Sequence, residues 1–376
     1  MKILFVTDLY YADNNSDSRA LNDFVENWKQ QGHEVFVLRP NFLFNTMVRG
    51  KKISKEGMYE QNGVSVLNLN FITPFWFNVF DKLPKDFNLK KFDVLISHMP
   101  SGALFSLRLL EKDKIPYCIS VHASDIEVLS CPLYSFYFKN KLLSCYKKAD
   151  AVSPRSFHLK NKIEKYIAKD KKIFPALSGI REEDILSEEE LKEKINSFKN
   201  GGKVIITSVS SLIKRKNIDV ILKALSKIKE FDFEYRIIGG GKERERLKTL
   251  VKRLNLEDKV KFLGKIPHNE VLEYLKQSNI FVLLSRRETL GLAYLEAMGN
   301  GNIVICAENE GVDGLIQNGQ NGFSLEINSE KLSHLLIEVY NFDSEKISKI
   351  LINTRKTALE NTLSKASESY LNNIFH

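Results

Sequence analysis

The chain has 376 residues, 43% hydrophobic and 27% charged, the balance of a folded protein rather than a disordered one. At about 150 residues per domain, that length implies two or three domains. The formal net charge of +9 leaves phosphates, nucleic acid or an anionic membrane open as partners, and no apolar stretch approaches the length that spans a bilayer.

The positive excess is uneven: residues 1–180 carry 26 Lys/Arg against 18 Asp/Glu, and residues 181–376 carry 30 against 29. A solvated surface accounts for this as well as a polyanion does. The four cysteines, Cys118, Cys131, Cys145 and Cys306, show neither metal-ligand nor redox spacing. They fit core positions in a reducing, cytoplasmic compartment.

The opening MKILFVTDLYY has too short an apolar run for a signal-peptide core and reads as a first buried strand, Ile3–Thr7. Further strands are expected at Glu34–Leu38, Val64–Leu69, Val94–Ser97, Tyr117–Val121 and Ala151–Ser153. Between the first two, Leu21, Phe24, Val25 and Trp28 recur at helical spacing, and Gly32 ends that helix. The charged helix REEDILSEEELKEKINSFKNGG, residues 181–202, precedes a fresh set of strands at Val204–Ser208, Tyr235–Ile238, Val260–Phe262, Ile280–Leu284 and Ile303–Cys306. Strands alternating with helices imply α/β domains with doubly wound parallel sheets. The expected division is 1–185 and 186–357. Two such domains facing across a cleft would bind a nucleotide-type ligand at the carboxyl ends of their strands.

The segment SRRETLGLAYLEAMGNG, residues 285–301, carries the most chemistry. It follows an apolar strand and opens a helix near Gly291. The amides of Leu290, Gly291 and Leu292 would form a helix N-terminus suited to phosphate. Glu288 can accept hydrogen bonds from sugar hydroxyls, and Glu296, eight positions on, can hold a ribose diol. The plain alternatives are a helix cap for Glu288 and an ordinary surface glutamate for Glu296.

ETLGLAYLE followed by AMGNGNIVI resembles the motif of retaining glycosyltransferase family four: two glutamates eight apart, a central glycine, then small residues and a strand. WKQQGHEVFVL, SVHASD (Ser120–Asp125), the long run IIGGGKERERLKTLVKRLNLEDKVKFLGKIPHNEVLEYLKQSNIFVLLSRRETLG, and NGQNGF at 318–323 are similar to further parts of that family. The resemblance covers most of the chain and is strongest over residues 203–325. It implies the B-type glycosyltransferase fold, two Rossmann-like domains with residues 358–376 packing back on the first. It also implies retaining, metal-independent sugar transfer from a UDP- or GDP-linked donor, with no cofactor.

On this resemblance Glu288 is the donor-sugar contact, Glu296 the ribose contact and Lys216 the diphosphate-binding lysine, whose charge would offset that of the leaving pyrophosphate. His122 would hydrogen-bond the donor sugar; a strand-end histidine with Asp125 as helix N-cap is the plain alternative. Leu290, Gly291, Leu292, Ser211, Arg215, Gly239, Gly240 and Ile266 complete the expected donor site. Ser211 departs from the family, which has an arginine there, and serine cannot grip phosphate bidentately. Lys214, Arg215, Arg286 and Arg287 are the candidate replacements. Gly239–Gly241 lacks GxGxxG spacing and also fits a tight turn.

The polar loop YYADNNSDSR, residues 10–19, stands where the family has two glycines, and it is either an acceptor-binding loop or a solvated connection. Residues 71–91 interleave Phe71, Phe75, Trp76, Phe77 and Phe80 with lysines. That pattern suits core packing, or an interfacial contact at the inner membrane face that would bring the enzyme to a lipid-linked acceptor. The expected acceptor is a saccharide or lipid-linked saccharide of surface polysaccharide or lipopolysaccharide synthesis, with no nucleic-acid partner. A nucleotide-sugar epimerase, a dinucleotide oxidoreductase and a nucleotide- or nucleic-acid-binding module are the rival readings.

Overall fold

The computed structural model describes residues 1–11, 16–42, 55–72, 79–130, 137–199 and 202–375. The chain forms two compact units, Met1–Ser178 with Leu363–His376, and Gly179–Thr362. The division thus lies a few residues before the one read from composition.

In the first unit, β1 (Lys2–Val6), β2 (Glu34–Phe42), β3 (Gly57–Gln61), β4 (Val64–Phe71), β5 (Val94–His98), β6 (Tyr117–Val121), β7 (Ala151–Pro154) and β8 (Lys172–Ile173) form one sheet. Their order is β3-β4-β2-β1-β5-β6-β7-β8, and only β3 runs antiparallel to its neighbour. β1 lies between β2 and β5, with Phe5 opposite Val37 and Ile96. Alternate residues of a strand face opposite ways, so β1 feeds two cores. Ile3 and Phe5 pack with Phe24, Trp28, Tyr370 and Leu371, whereas Leu4 and Val6 pack with Ala103, Phe105 and Leu142.

The first of these cores is closed by the last helix of the chain, Leu363–Phe375. Trp28 donates its indole Nε1 to the Ser367 carbonyl at 3.0 Å, and the Tyr370 ring meets those of Phe24, Trp28 and Phe174.

In the second unit, β9 (Val204–Val209), β10 (Phe233–Ile238), β11 (Val260–Gly264), β12 (Ile280–Leu283), β13 (Ile303–Ala307) and β14 (Phe323–Leu325) run parallel in the order β11-β10-β9-β12-β13-β14. This is the 3-2-1-4-5-6 order of the dinucleotide-binding fold. The order reverses between β9 and β12, and a crevice at their carboxyl ends follows from the topology.

Three strands escape the sequence reading. β3 shows only half-buried and exposed residues, so it has no apolar run to betray it. β8 and β14 are two and three residues long, shorter than any periodicity can mark.

Candidate active site

The loop after β9 and the loop after β12 meet at the reversal of strand order. Asn217, in the left-handed region at φ 51°, ends a short turn Lys214–Lys216 and donates its Nδ2 to the Leu284 carbonyl at 2.6 Å. The Arg286 amide donates to the Arg215 carbonyl at 2.8 Å, and Arg215 Nη1 donates to the carbonyls of Arg286 and Arg287 at 3.3 and 3.2 Å. The two loops therefore hold each other in register.

That pairing sets Lys216 beside Glu288. The Lys216 ammonium donates to Glu288 Oε1, Ser285 Oγ donates to the same oxygen at 2.7 Å, and Arg215 Nη1 stands 3.7 Å from it. Both side chains of the pair are 11% exposed, so the pair is screened little by solvent. Burial works to raise the Glu288 pKa, but the Lys216 cation, the Ser285 hydroxyl and Arg215 outweigh it, and the carboxyl sits below its ordinary range. Glu288 is an ionised, hydrogen-bonded acceptor and caps no helix. The Glu310 carboxylate, beyond β13, accepts the Arg287 amide at 2.6 Å and the Glu288 amide at 3.4 Å, which fixes the backbone that carries Glu288. Of the cations weighed against Ser211, Arg215 is the one directed at this carboxylate, while Ser211 itself is exposed.

Gly291, at φ 88°, is the N-cap of the helix Leu292–Gly299 and makes no side-chain capping bond. A Cβ there would lie 2.7 Å from the Tyr294 ring, so the site admits only glycine. Leu290 is buried in front of it. The helix thus opens with uncapped amides and no acidic residue in its first turn.

Glu296 is buried at 4% exposure, which overturns the surface-glutamate alternative, and its Oε1 pairs with His268 Nε2 at 3.0 Å. His268 begins the helix His268–Gln277, just after Ile266, which is half-buried in the loop beyond β11. Gly239 has a clear structural reason. At φ 129°, its Cβ would come 1.9 Å from the Ser210 carbonyl oxygen, so glycine is what lets β10 end against the loop after β9. The Gly240 carbonyl accepts the Leu212 amide at 2.9 Å and ties the same two loops.

In the first unit, His122 follows β6 and is 9% exposed. Its backbone amide donates to Asp125 Oδ2 at 2.9 Å, and Tyr146 donates its hydroxyl to Asp125 Oδ1 at 2.9 Å. Asp125 therefore closes back on the cap residue from the first turn, as in a capping box, and is not itself the N-cap. Burial raises the Asp125 pKa to about 7. Burial, with the Arg155 cation nearby, lowers that of His122 to about 3, so its ring is neutral at physiological pH.

Over residues 188–357 the sequence matches the family described as glycosyl transferases group 1. It is 25% identical over 303 residues to N-acetyl-alpha-D-glucosaminyl L-malate synthase of Bacillus anthracis, covering 79% of this chain and 77% of that one. It is 30% identical over 164 residues to the amylovoran biosynthesis glycosyltransferase AmsK of Erwinia amylovora, covering 41% and 40%. Residues 188–357 are a group 1 glycosyltransferase domain. Among solved structures, Anabaena HepE in complex with UDP matches with a TM-score of 0.77 at 16% identity, over 100% of both chains. Sucrose-phosphate synthase from Thermosynechococcus elongatus matches at 0.76 and 15%, over 100% of this chain and 98% of that one. These likenesses establish the B-type glycosyltransferase fold.

The expected residues of the second unit all lie beyond the carboxyl ends of β9 to β12. Lys216, Arg215 and Glu288 form one cluster; Glu296 forms a separate pair with His268. Ser285, His268 and Glu310 were missed. Ser285 stands three residues before Glu288 and was open to suspicion, but nothing in the sequence marks the other two. Among the described residues no group of three His, Cys, Asp or Glu side chains is placed to hold a metal ion, and no helix is long and apolar enough to cross a membrane.

Phe71 is a core residue, its ring 5.9 Å from that of Phe105, and so faces no membrane. The Lys112 ammonium lies 3.9 Å over the Phe80 ring. Phe75, Trp76 and Phe77 lie outside the described residues, as do residues 12–15 of the polar loop. Cys118, Cys145 and Cys306 are buried free thiols with pKa values pushed up to about 12 by burial.

Proposed function

We propose that this glycosyltransferase moves a hexosyl group from a nucleoside-diphosphate sugar, UDP- or GDP-linked, with retention of configuration and without a metal ion or other cofactor. The observation that carries the reading is the buried Lys216–Glu288 pair at the strand-order reversal. A cation for the diphosphate and an ionised acceptor for sugar hydroxyls stand in contact there.

On this reading the donor's phosphates approach Lys216, Arg215 and the uncapped amides at the start of Leu292–Gly299. Negative charge builds on the leaving phosphate as the glycosidic bond breaks, and a fixed cation lowers the barrier more than it lowers the ground state. Glu288, freed in part from Lys216, accepts hydroxyls of the sugar. Glu296, oriented by His268, accepts the ribose diol. The acceptor hydroxyl attacks on the face that the phosphate leaves, and the departing phosphate takes its proton. Orientation and charge do the work, and no protein nucleophile is required. His122, in the first unit, is read as a hydrogen-bond partner of a sugar oxygen.

The acceptor is a saccharide or lipid-linked saccharide of surface polysaccharide or lipopolysaccharide assembly. Support comes from relatives named for amylovoran and colanic acid biosynthesis, and from one structural neighbour, HepE, solved with UDP and with UDP-glucose. The lysine-rich first unit suits work at the inner membrane face; nucleic acid has no part in the reading.

The test has two steps. A thermal-shift screen with UDP, GDP, ADP and CMP, their sugars, and NAD, with and without EDTA, identifies the donor by its stabilisation of the native state. Proton NMR of the first product formed from that α-linked donor then reads the anomeric configuration. An α product with full activity in EDTA is expected. A β product, or activity abolished by EDTA and restored by magnesium, overturns the mechanism.

A further inference from the structure

A hydrogen-bonded file of four side chains runs through the buried interior of the first unit and ends on His122. Ser153 donates its hydroxyl to Tyr370 Oη at 2.8 Å. Tyr370 Oη lies 3.2 Å from His98 Nε2, and His98 Nδ1 lies 3.0 Å from His122 Nε2. Ser153, Tyr370 and His98 are each at most 1% exposed, so the file is shielded from bulk solvent. No partner of His122 Nδ1 is found among the described residues.

The direction of the file follows from counting protons. Tyr370 Oη accepts from Ser153, and the acceptor at hydrogen-bond distance for its own single proton is His98 Nε2. A neutral imidazole carries one N–H. With Nε2 accepting, His98 holds its proton on Nδ1 and donates it to His122 Nε2. His122 Nε2 is then an acceptor, and the proton of His122 sits on Nδ1. Both rings are neutral, because burial, reinforced by the Arg155 cation, lowers their pKa values. Among the described residues Asp125 bonds the His122 amide and the Tyr146 hydroxyl, and it makes no hydrogen bond to the His122 ring.

We propose that Tyr370, acting through His98, is a positioning residue that fixes His122 as the Nδ1–H tautomer, so that it presents a hydrogen-bond donor to an oxygen of the sugar. The proposal deepens the functional reading and rests on it for the role of His122, but the tautomer itself is independent of that role. It also gives the returning C-terminal helix a task beyond closing the core. Tyr370→Phe keeps the ring among Phe24, Trp28 and Phe174 and deletes the hydroxyl, which both accepts from Ser153 and supplies the proton that selects the tautomer.

The experiment is long-range proton–nitrogen NMR on the full chain labelled with ¹⁵N-histidine. Only seven histidines contribute, and His122→Gln assigns the signal. In the unmodified protein His122 is expected to show a protonated Nδ1 and a bare Nε2. In Tyr370→Phe it shifts to the Nε2–H form or to a mixture, and turnover falls roughly five- to tenfold, the worth of one neutral hydrogen bond. An Nε2–H tautomer in the unmodified protein, or an unchanged tautomer in Tyr370→Phe, overturns the proposal. The first of these measurements needs no variant to fold. A tautomer that shifts while turnover holds supports the file and refutes the role given to His122.

Discussion

Lys216→Met deletes one charge of a buried pair and leaves a side chain of similar length. In the unmodified protein the folded Glu288 pKa is below its value in the unfolded chain. Its contribution to stability is therefore fully present above about pH 4.5 and is lost as pH falls through the lowered pKa. Without Lys216, burial becomes the dominant influence and the folded pKa rises above the unfolded one. The sign then reverses: Glu288 is tolerated best below about pH 4.5 and becomes a liability as pH climbs through the raised value.

The cost of breaking a buried pair is about 3–5 kcal/mol. The lower figure applies here, since Ser285 and Arg215 remain beside the carboxylate. Lys216→Met should thus be close to unmodified stability near pH 4 and about 3 kcal/mol less stable at pH 7. Glu288→Gln added to it should restore much of the loss at neutral pH. Hydrogen exchange read by mass spectrometry in peptides of the second unit separates that unit from the first, which a whole-chain melt does not. A loss that is the same at every pH, or a double variant no better than Lys216→Met, refutes the reasoning.

Lys194 is a buried cation whose Nζ donates to the carbonyls of Leu275, Lys276 and Asn300, at the ends of two helices. Lys194→Met strands these acceptors and should cost about 2–3 kcal/mol, read as a lower denaturation midpoint. Because burial lowers its folded pKa to about 7, the unmodified protein should gain stability as pH rises from 7 toward 10.5, a slope that Lys194→Met lacks. Glu296→Ala removes a charged acceptor and should raise the donor KM at least tenfold while the melting temperature changes little. An unchanged KM would remove Glu296 from the site. Gly239→Ala forces a methyl onto the Ser210 carbonyl and should lose several degrees of Tm together with nucleotide binding.

The parallel strands were legible because their burial on both faces leaves continuous apolar runs, as in Ile280–Leu283 and Ile303–Ala307. Glu288, Glu296 and Gly291 were legible because their chemistry sits within one short segment. What the sequence hides is pairing at a distance. Lys216 and Glu288 are 72 positions apart, and His98 finds Tyr370 272 positions away. A histidine ending a strand in ISHMP looks no different from one following a strand in SVHAS until the topology lays β5 beside β6. Glu310 is equally mute, since its task is to hold two amides, which carry no signature in a side-chain code.

The first unit is written in two instalments, its last helix encoded after the whole of the second. At about 5–20 residues per second, a ribosome spends roughly 10–40 s on residues 179–362. During that interval the Trp28 indole and the apolar face of Phe24 wait for Tyr370 and Leu371. The unit whose strands emerge first is therefore the one completed last. A nascent chain must keep this open core from aggregating until Tyr370 and Leu371 arrive.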